Sequence, residues 1–304
     1  MMKQQILGAG SVGHMVAGIL SSANQSSQII VKNDGHRNTT ASPKYIYKNE
    51  SIQLLSEYIR VDDVSQIELL WVCVKSYQLE DALKLVRAKC SHNTHVLLLQ
   101  NGMGHLEVAN AQLADLMPLE QIFIVANTHG AYLDHQAHGT EVYHTGLGKM
   151  IIGPNYLAGN TAKPDFLDEL PKSMNIAWEE QIEQESWLKL GINAVINPLT
   201  AYYQCTNGEL LSNLSYRKEV DTLLTELKDF YRAVGMSKLA EVITSRCYHV
   251  IETTSENYSS MMRDVKSGRQ TEIDSITGYL LNQASQTKLN LVEHQKQYDR
   301  LLNT

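Results

Sequence analysis

The sequence predicts an α/β protein in which an N-terminal, doubly wound sheet of the Rossmann type is followed by an all-α C-terminal domain. Three observations lead to this class. Short apolar runs alternate with helical segments through the first half, the pattern of parallel strands covered on both faces. A glycine motif joins the first apolar run to the first helical segment. From about Glu179 onward, strand signals vanish and long helical patterns take over.

The elements of the first domain follow in order. "QQILGAG" predicts a strand, a helix follows from about Val12 to Ser22, and "SQIIVKND" predicts a second strand. Three continuous apolar runs that end in polar residues predict further parallel strands: "IELLWVCVK", "HVLLLQNG" and "QIFIVANTHG". "TEVYHTGLGKMIIG" is interpreted as an antiparallel hairpin that closes the same sheet. We place the boundary near residue 178, giving a dinucleotide-binding domain of residues 1–178 and a helical substrate domain of residues 179–304.

Composition excludes several classes of function. The chain has 304 residues, of which 43% are hydrophobic, enough for one large domain or two ordinary ones. A formal net charge of −7 argues against nucleic acid or an anionic membrane as a partner. No apolar run approaches the ~20 residues that span a bilayer, and the four cysteines form no C-x-x-C pair. We therefore expect a soluble, cytoplasmic protein with reduced thiols.

The glycine motif predicts dinucleotide binding. Gly8-x-Gly10-x-x-Gly13 follows a strand and opens a helix, the context in which this otherwise weak motif is informative. Gly8 permits the tight turn, Gly10 lets a pyrophosphate approach, and Gly13 allows close helix–strand packing. With Ser11 and Val12, the helix N-terminus offers free N–H groups and the positive end of its dipole.

The end of the second strand faces the adenosine ribose in such folds, and its residues leave the cofactor open. Asp34 would accept hydrogen bonds from ribose hydroxyls and favour NAD, whereas Lys32 or Arg37 would pair with a 2′-phosphate and favour NADP. All three could equally be solvated turn residues. On charge alone we favour NADP.

Polar residues also stand at the ends of later strands, where ligands of open α/β sheets bind. They are Lys75, Asn101 and His129. Asn101 precedes a glycine, so a purely local turn role is the alternative. For Lys75 the alternative is a side chain that extends along apolar surface to reach water.

The histidines of residues 129–144 do not suggest a metal. His129, His135, His138 and His144 match no helical or finger-type ligand spacing, and no cysteine or glutamate accompanies them. We predict surface or loop histidines and no metal site.

The segment "WLKLGINAVINPLTA" carries the most informative polar residues. Lys189, Asn193 and Asn197 recur every four residues, and steps of four advance only ~40° around a helix, so all three project from one stripe. Burying such groups without partners costs roughly 1–3 kcal/mol each, so a polar ligand is expected to face them. Glu272 is a candidate acid–base partner for Lys189, although a carboxylate that complements a helix dipole is the alternative.

In the same half of the chain, Asn257 and Ser260 lie three residues apart. This spacing predicts one shared helix face.

Several blocks together resemble the ketopantoate (2-dehydropantoate 2-) reductase family, over nearly the whole chain. They are "GAGSVG", "VKSYQ", "QNGMG", "WLKLGINAVINPLTA", "TNGEL" and "ENYSSMMRDVKSGRQTEIDSITGYLL". The resemblance implies a Rossmann domain joined to a helical domain, with the active site in the cleft. It implies reduction of 2-dehydropantoate to (R)-pantoate by NADPH, a step toward pantothenate and coenzyme A.

The resemblance also assigns roles. Lys189 matches the catalytic lysine and Glu272 its acidic partner. Substrate contacts are implied for Asn193, Asn197, Asn257, Ser260 and Asn101. Cofactor contacts are implied for Gly8, Gly10, Ser11, Val12, Gly13, Lys32, Lys75 and Asn101.

Alternatives stay open beside this interpretation: a reductase of another small 2-keto acid, or a non-catalytic NADP-binding sensor. A homodimer is compatible with the family. Two departures from its pattern matter. Lys32 stands where some members of the family have an arginine, and a lysine lacks the fork with which arginine makes two parallel hydrogen bonds. "TKLNLVEHQKQYDRLLNT" lacks the segment expected before the last helix, which puts that helix in doubt.

Overall fold

The computed structural model describes residues 2–32, 43–136, 139–159 and 162–303. Contacts divide the chain into two units. Unit 1 comprises Met1–Gln100 and His105–Ile182, and unit 2 comprises Asn101–Gly104 and Glu183–Thr304. The four residues 101–104 therefore leave the first unit and belong with the helical one, which no local pattern indicated.

Unit 1 contains two sheets and three α-helices among its described residues. The strands are β1 (Gln4–Leu7), β2 (Ser27–Val31), β3 (Lys44–Tyr47), β4 (Glu50–Gln53), β5 (Ser56–Arg60), β6 (Leu69–Val72), β7 (His95–Leu98), β8 (Ile122–Asn127), β9 (Gly130–Gln136), β10 (Gly139–Gly146), β11 (Met150–Pro154) and β12 (Ile176–Trp178). The helices are α1 (Ser11–Ser22), α2 (Leu79–Val86) and α3 (His105–Leu113).

The main sheet has eight strands in the order β12-β11-β8-β7-β6-β1-β2-β5. From β5 through β8 all neighbours pair in parallel. The chain reverses its direction of winding between β1 and β6, which is the Rossmann arrangement. The predicted class, a doubly wound sheet followed by a helical domain, is confirmed.

Two apolar layers cover the sheet and explain why its strands are continuous apolar runs. One face packs against α1 and includes Ile6 and Trp71, which are both fully buried. The other packs against α2 and α3 and includes Leu70 and Leu98. A strand buried on both faces cannot alternate polar with apolar residues, as the sequence of these strands reflects.

The prediction of a hairpin closing the main sheet was wrong in one strand. β11 does join that sheet, antiparallel to β8. β10 instead belongs to a second sheet of order β4-β3-β10-β9, pairing antiparallel with β9 and parallel with β3. Local periodicity identifies a strand but does not choose its partner, and β9 lies immediately before β10 in the chain.

Unit 2 contains helices and connecting turns, and no strand, among its described residues. It contains most of α4 (Ile182–Tyr203), together with α5 (Glu209–Ser212), α6 (Leu214–Ala233), α7 (Ser237–Thr253), α8 (Ser260–Lys266), α9 (Tyr279–Gln286) and α10 (Val292–Leu302). A five-residue π-helical turn, Asp274–Gly278, precedes α9. Among the described helices, none combines the length and apolar character needed to cross a bilayer.

The final helix, which the sequence left in doubt, is formed and capped from α6. The carboxylate of Glu226 accepts the backbone N–H groups of Glu293 (2.8 Å) and His294 (3.1 Å). It also lies 2.9 Å from Nδ1 of the fully buried His294 ring. Because the first turn of a helix leaves its N–H groups unsatisfied, this carboxylate fixes where α10 begins.

Candidate active site

The glycine loop has the geometry that a dinucleotide requires. Gly8 adopts φ +116°, and a Cβ there would lie 2.9 Å from the backbone nitrogen of Val74. A Cβ on Gly13 would lie 2.0 Å from the carbonyl oxygen of Gly8, so strand and helix pack too closely for any side chain. A Cβ on Gly10, the residue that caps α1, would meet nothing within 4 Å. The space before the helix N-terminus is therefore open, as an incoming phosphate needs.

The predicted cofactor residues other than the glycines and Asn101 lie in unit 1. Ser11 and Val12 form the half-buried first turn of α1, and Lys32 is exposed directly after β2. Lys75 is half-buried and caps a 3₁₀ turn, where its N–H lies 3.3 Å from Oε1 of Gln78.

Asp34 and Arg37, the competing residues for cofactor choice, lie outside the described residues. The roles in cofactor binding therefore stay predictions.

The polar stripe of unit 2 lies on one continuous helix. Lys189 and Asn193 are half-buried on α4, and Asn197 is only 6% exposed. Gly191, on the opposite side of the helix, has no room for a side chain because a Cβ would lie 2.3 Å from the hydroxyl of Tyr231. That hydroxyl donates to the carbonyl of Trp187 (2.6 Å). Packing of the back face against Tyr231 thus fixes the direction in which the stripe projects.

Burial and charge act in opposite directions on Lys189. Burial lowers its pKa from an ordinary 10.5 to about 8, and the Glu272 carboxylate opposes this by favouring the ammonium form. The sequence left this balance open, and the structure resolves it in favour of burial. A lysine with a pKa near 8 is still largely protonated at neutral pH yet can release its proton.

Glu272 lies at the start of the turn before α9 and is only 5% exposed. Its Oε2 accepts a hydrogen bond of 3.3 Å from Nδ2 of Asn101. Three residues distant in sequence, Lys189, Glu272 and Asn101, therefore interact within unit 2. An ammonium, a carboxylate and an amide in this arrangement can donate a proton to an oxyanion and hold the donor in its charged form.

The prediction that Asn257 and Ser260 share a helix face was wrong. Asn257 lies in the loop after α7, and α8 begins only at Ser260. The boundary is set by Ser259, whose hydroxyl caps the helix by accepting the N–H of Met262 (3.1 Å). The side chains of Asn257 and Ser260 are both exposed.

Ser259 and Thr200 were missed by sequence reasoning. Thr200 is fully buried on α4, and its Oγ1 lies 2.7 Å from Oγ of Ser259. This bond ties the start of α8 to the helix that carries the polar stripe. The available signal was a serine immediately before a helical pattern, which is typical of an N-cap.

Two of the histidines predicted to lie at the surface or in loops are buried in unit 1: His129 lies in the connection between β8 and β9, as a loop histidine would, whereas His144 lies in β10. His129 and His144 are 8% and 5% exposed. His129 Nε2 lies 3.0 Å from the carbonyl of Met174, and its Nδ1 lies 3.0 Å from Nε2 of His144. Nδ1 of His144 lies 2.5 Å from the hydroxyl of Tyr45. Each ring nitrogen faces a polar partner, which explains how these rings tolerate burial.

Of the other two histidines, His135 falls in β9 with an undescribed side chain and His138 lies outside the described residues. The described residues contain no group of three or more side chains arranged to hold a metal ion.

Comparison with solved structures supports the fold class, a Rossmann-type α/β domain followed by a helical domain. A ternary complex of D-mandelate dehydrogenase with NADH and anilino(oxo)acetate superposes with a TM-score of 0.87 at 23% identity, covering 99% of this chain and 98% of that one. At that identity the likeness concerns the fold alone. The probable 2-dehydropantoate 2-reductase of Bacillus subtilis gives a TM-score of 0.79 at 29% identity and covers 99% of each chain.

Sequence comparison identifies the family. The family descriptions "Ketopantoate reductase PanE/ApbA" and "Ketopantoate reductase PanE/ApbA C terminal" match residues 5–156 and 181–302. The 2-dehydropantoate 2-reductase of Vibrio cholerae serotype O1 is 31% identical over 92% of this chain and 90% of its own. That of Bacillus subtilis strain 168 is 33% identical over 96% and 93%. The chain belongs to the ketopantoate reductase family.

Proposed function

We propose that this protein is an NADPH-dependent 2-dehydropantoate 2-reductase, which converts 2-dehydropantoate, NADPH and a proton into (R)-pantoate and NADP⁺ for the synthesis of pantothenate and coenzyme A. The main support for this proposal is the state of Lys189. This half-buried lysine has a pKa of about 8 and interacts with the buried Glu272 in the helical unit. Curated relatives over nine tenths of the chain are named for this reaction.

Lys189 is the proton donor in this proposal. Its ammonium form hydrogen-bonds the ketone oxygen and gives it a proton as the alkoxide develops, a form of assistance typically worth ~10²–10⁴ in rate. Glu272 keeps enough of the lysine protonated at neutral pH, since burial alone would lower its pKa further. The bound nicotinamide supplies the hydride to C2 of the substrate.

The amides and hydroxyls of the helical unit orient the keto acid. Asn193 and Asn197 project from the same stripe as Lys189 and bind the keto and hydroxyl oxygens. Ser260, exposed at the start of α8, binds the carboxylate, and Asn257, exposed in the loop before it, lies near the substrate. Hydrogen bonds to charged groups are worth about 1.5–3 kcal/mol, so these contacts orient the substrate as well as hold it.

The cofactor binds through residues 1–178 and the substrate through residues 179–304. The glycine loop holds the pyrophosphate on the N-terminus of α1, with Ser11 and Val12 in its first turn. Lys32 pairs with the 2′-phosphate, and Lys75 lies along the cofactor. A lysine is a point charge without arginine's fork, so preference for NADPH over NADH is softer than an arginine would give. The four described cysteines are all free, in keeping with a cytoplasmic enzyme.

The test is oxidation of NADPH, followed at 340 nm, with 2-dehydropantoate and with a panel of other small 2-keto acids, in parallel with NADH. The Lys189→Ala variant should lose at least ~10²-fold in turnover while NADPH affinity stays nearly intact. Lys238→Ala, an exposed lysine on α7, is the matched control and should behave like the unsubstituted protein. Turnover of Lys189→Ala close to that of the control would remove the lysine from the chemistry. NADPH binding without oxidation by any keto acid would indicate a sensor.

A further inference from the structure

The segment Asn101–Gly104 is hydrogen-bonded to the π-helical turn of unit 2 through one residue, Ser275, which uses both its backbone carbonyl and its side-chain hydroxyl. The N–H of Met103 donates to the carbonyl of Ser275 at 2.9 Å. The hydroxyl of Ser275 donates in the opposite direction, its one proton shared between the carbonyls of Asn101 (3.2 Å) and Glu272 (3.1 Å). Two antiparallel bonds through one residue fix both the position and the rotation of the segment.

Gly102 lies at the point of closest approach. A Cβ on this residue would lie 2.2 Å from the carbonyl oxygen of Ser275 and 2.6 Å from its carbonyl carbon. Its φ of +85° is also one that other residues rarely adopt. Gly104 has a similar φ of +91°, but a Cβ there would meet nothing closer than the ring of Tyr279 at 3.4 Å. Both glycines therefore require a positive φ, but only Gly102 of the two lies in close contact with the turn.

The turn that receives the segment is unusual in its own right. Asp274–Gly278 is π-helical, a geometry that is rare and concentrates at functional sites. It begins two residues after Glu272, and the hydroxyl of Ser275 lies 3.1 Å from the carbonyl of Glu272. Ser275 thus contacts both residues, Asn101 and Glu272, whose side chains hydrogen-bond to each other at 3.3 Å.

We propose that Ser275 is a positioning residue, which docks the Asn101–Gly104 segment so that the amide of Asn101 holds the Glu272 carboxylate in the orientation that Lys189 needs. The inference rests on the proposed function for its catalytic consequence, but not for the docking itself. Neither Ser275 nor Gly102 touches the reacting atoms in this scheme. They act through the Asn101–Glu272 bond.

Docking is tested first without any activity measurement, by hydrogen exchange of the Met103 amide in the full-length protein. Gly102→Ala should speed exchange at this amide by about tenfold or more, because the bond to Ser275 is lost. In Gly104→Ala, which places the same demand on φ but causes no collision, the exchange rate of the Met103 amide should stay within about threefold of that in the unsubstituted protein. Equal acceleration in both variants would overturn the docking, since it would mean that backbone strain alone is responsible.

The catalytic consequence is tested by steady-state kinetics. Gly102→Ala should lower kcat by roughly tenfold or more, because displacements near 1 Å are costly in rate, with the KM for NADPH within about twofold. Ser275→Ala should lower kcat in the same direction by severalfold, and Ser275→Thr, which keeps the hydroxyl, should restore most of it. Ser285→Ala is the matched control: this exposed serine makes the same bond to the third residue back, Asn282 (2.7 Å), without contact to the segment.

The outcomes separate the two proposals. Faster exchange with unchanged kcat in Gly102→Ala and Ser275→Ala would overturn the positioning role. If Gly102→Ala fails to fold, Ser275→Ala against Ser285→Ala decides the same question. Absence of turnover in the unsubstituted protein would instead refute the proposed function, and the exchange measurement would still decide whether the segment is docked.

Discussion

Replacing Glu272 with glutamine should move the pH dependence of turnover in a direction and by an amount that the structure sets. In the unsubstituted protein, burial lowers the pKa of Lys189 to about 8 and the Glu272 carboxylate raises it. Glutamine keeps the shape of the side chain and its bond to Asn101 but removes the charge. Loss of a neighbouring opposite charge is worth about 1–3 pKa units, so the lysine pKa should fall from about 8 to roughly 5–7.

The effect on rate follows from the protonated fraction of Lys189. At pH 7.5 a lysine with a pKa of about 8 is ~75% protonated, and one with a pKa of about 6.5 is ~10% protonated, so titration alone lowers turnover roughly eightfold. The loss should be largely recovered near pH 5.5, because acidification restores the ammonium form.

The assay is kcat for keto-acid reduction between pH 5.5 and 9, with Glu256→Gln, an exposed residue of the same unit, as control. An alkaline limb that stays in place in Glu272→Gln, or moves upward, would refute the assignment of that limb to Lys189 and the opposing role of the carboxylate. A uniform loss at every pH would show instead that Glu272 acts by geometry and not by charge.

Three further predictions concern the first unit. Burial, and to a smaller extent the neighbouring His129, lower the pKa of His144 to about 4, so the folded state disfavours the protonated ring. The neutral ring's contribution to the free energy of unfolding is complete above about pH 6.5 and is lost as pH falls toward 4. By urea unfolding, His144→Gln should therefore shrink the stability difference between pH 7 and pH 5 by about 2 kcal/mol, and an unchanged difference would exclude His144 as its source. Gly10→Ala should leave the melting temperature nearly unchanged, because its Cβ meets nothing within 4 Å, yet weaken NADPH binding about tenfold or more in a fluorescence titration; full affinity would show that the cofactor lies elsewhere. Lys32→Ala should raise the KM for NADPH severalfold and leave that for NADH unchanged, and an equal rise in both would exclude a contact with the 2′-phosphate.

The features of this protein that the sequence predicted depend on short-range patterns. Continuous apolar runs predicted strands buried on both faces, because such a strand has no exposed positions at which polar residues would recur. Gly8, Gly10 and Gly13 predicted the turn, the open helix end and the close packing, because each requirement is met within six residues of chain. The four-residue spacing of Lys189 and Asn193 predicted one stripe of one helix, and α4 contains both. Family resemblance then supplied reaction and substrate, which no spacing could indicate.

Tertiary structure decided the features that depend on residues far apart in the chain. β10 took β9 and β3 as its neighbours, although its own sequence fitted the main sheet equally well. The bond between Asn101 and Glu272 joins positions 171 residues apart, and the segment carrying Asn101 belongs to the helical unit instead of the sheet that precedes it. The same holds for the pKa of Lys189, which reflects how much water the folded chain removes and how near it brings a carboxylate. Periodicity reports what one residue shares with neighbours a turn away, whereas burial and electrostatic coupling exist only once the whole chain has closed around a side chain.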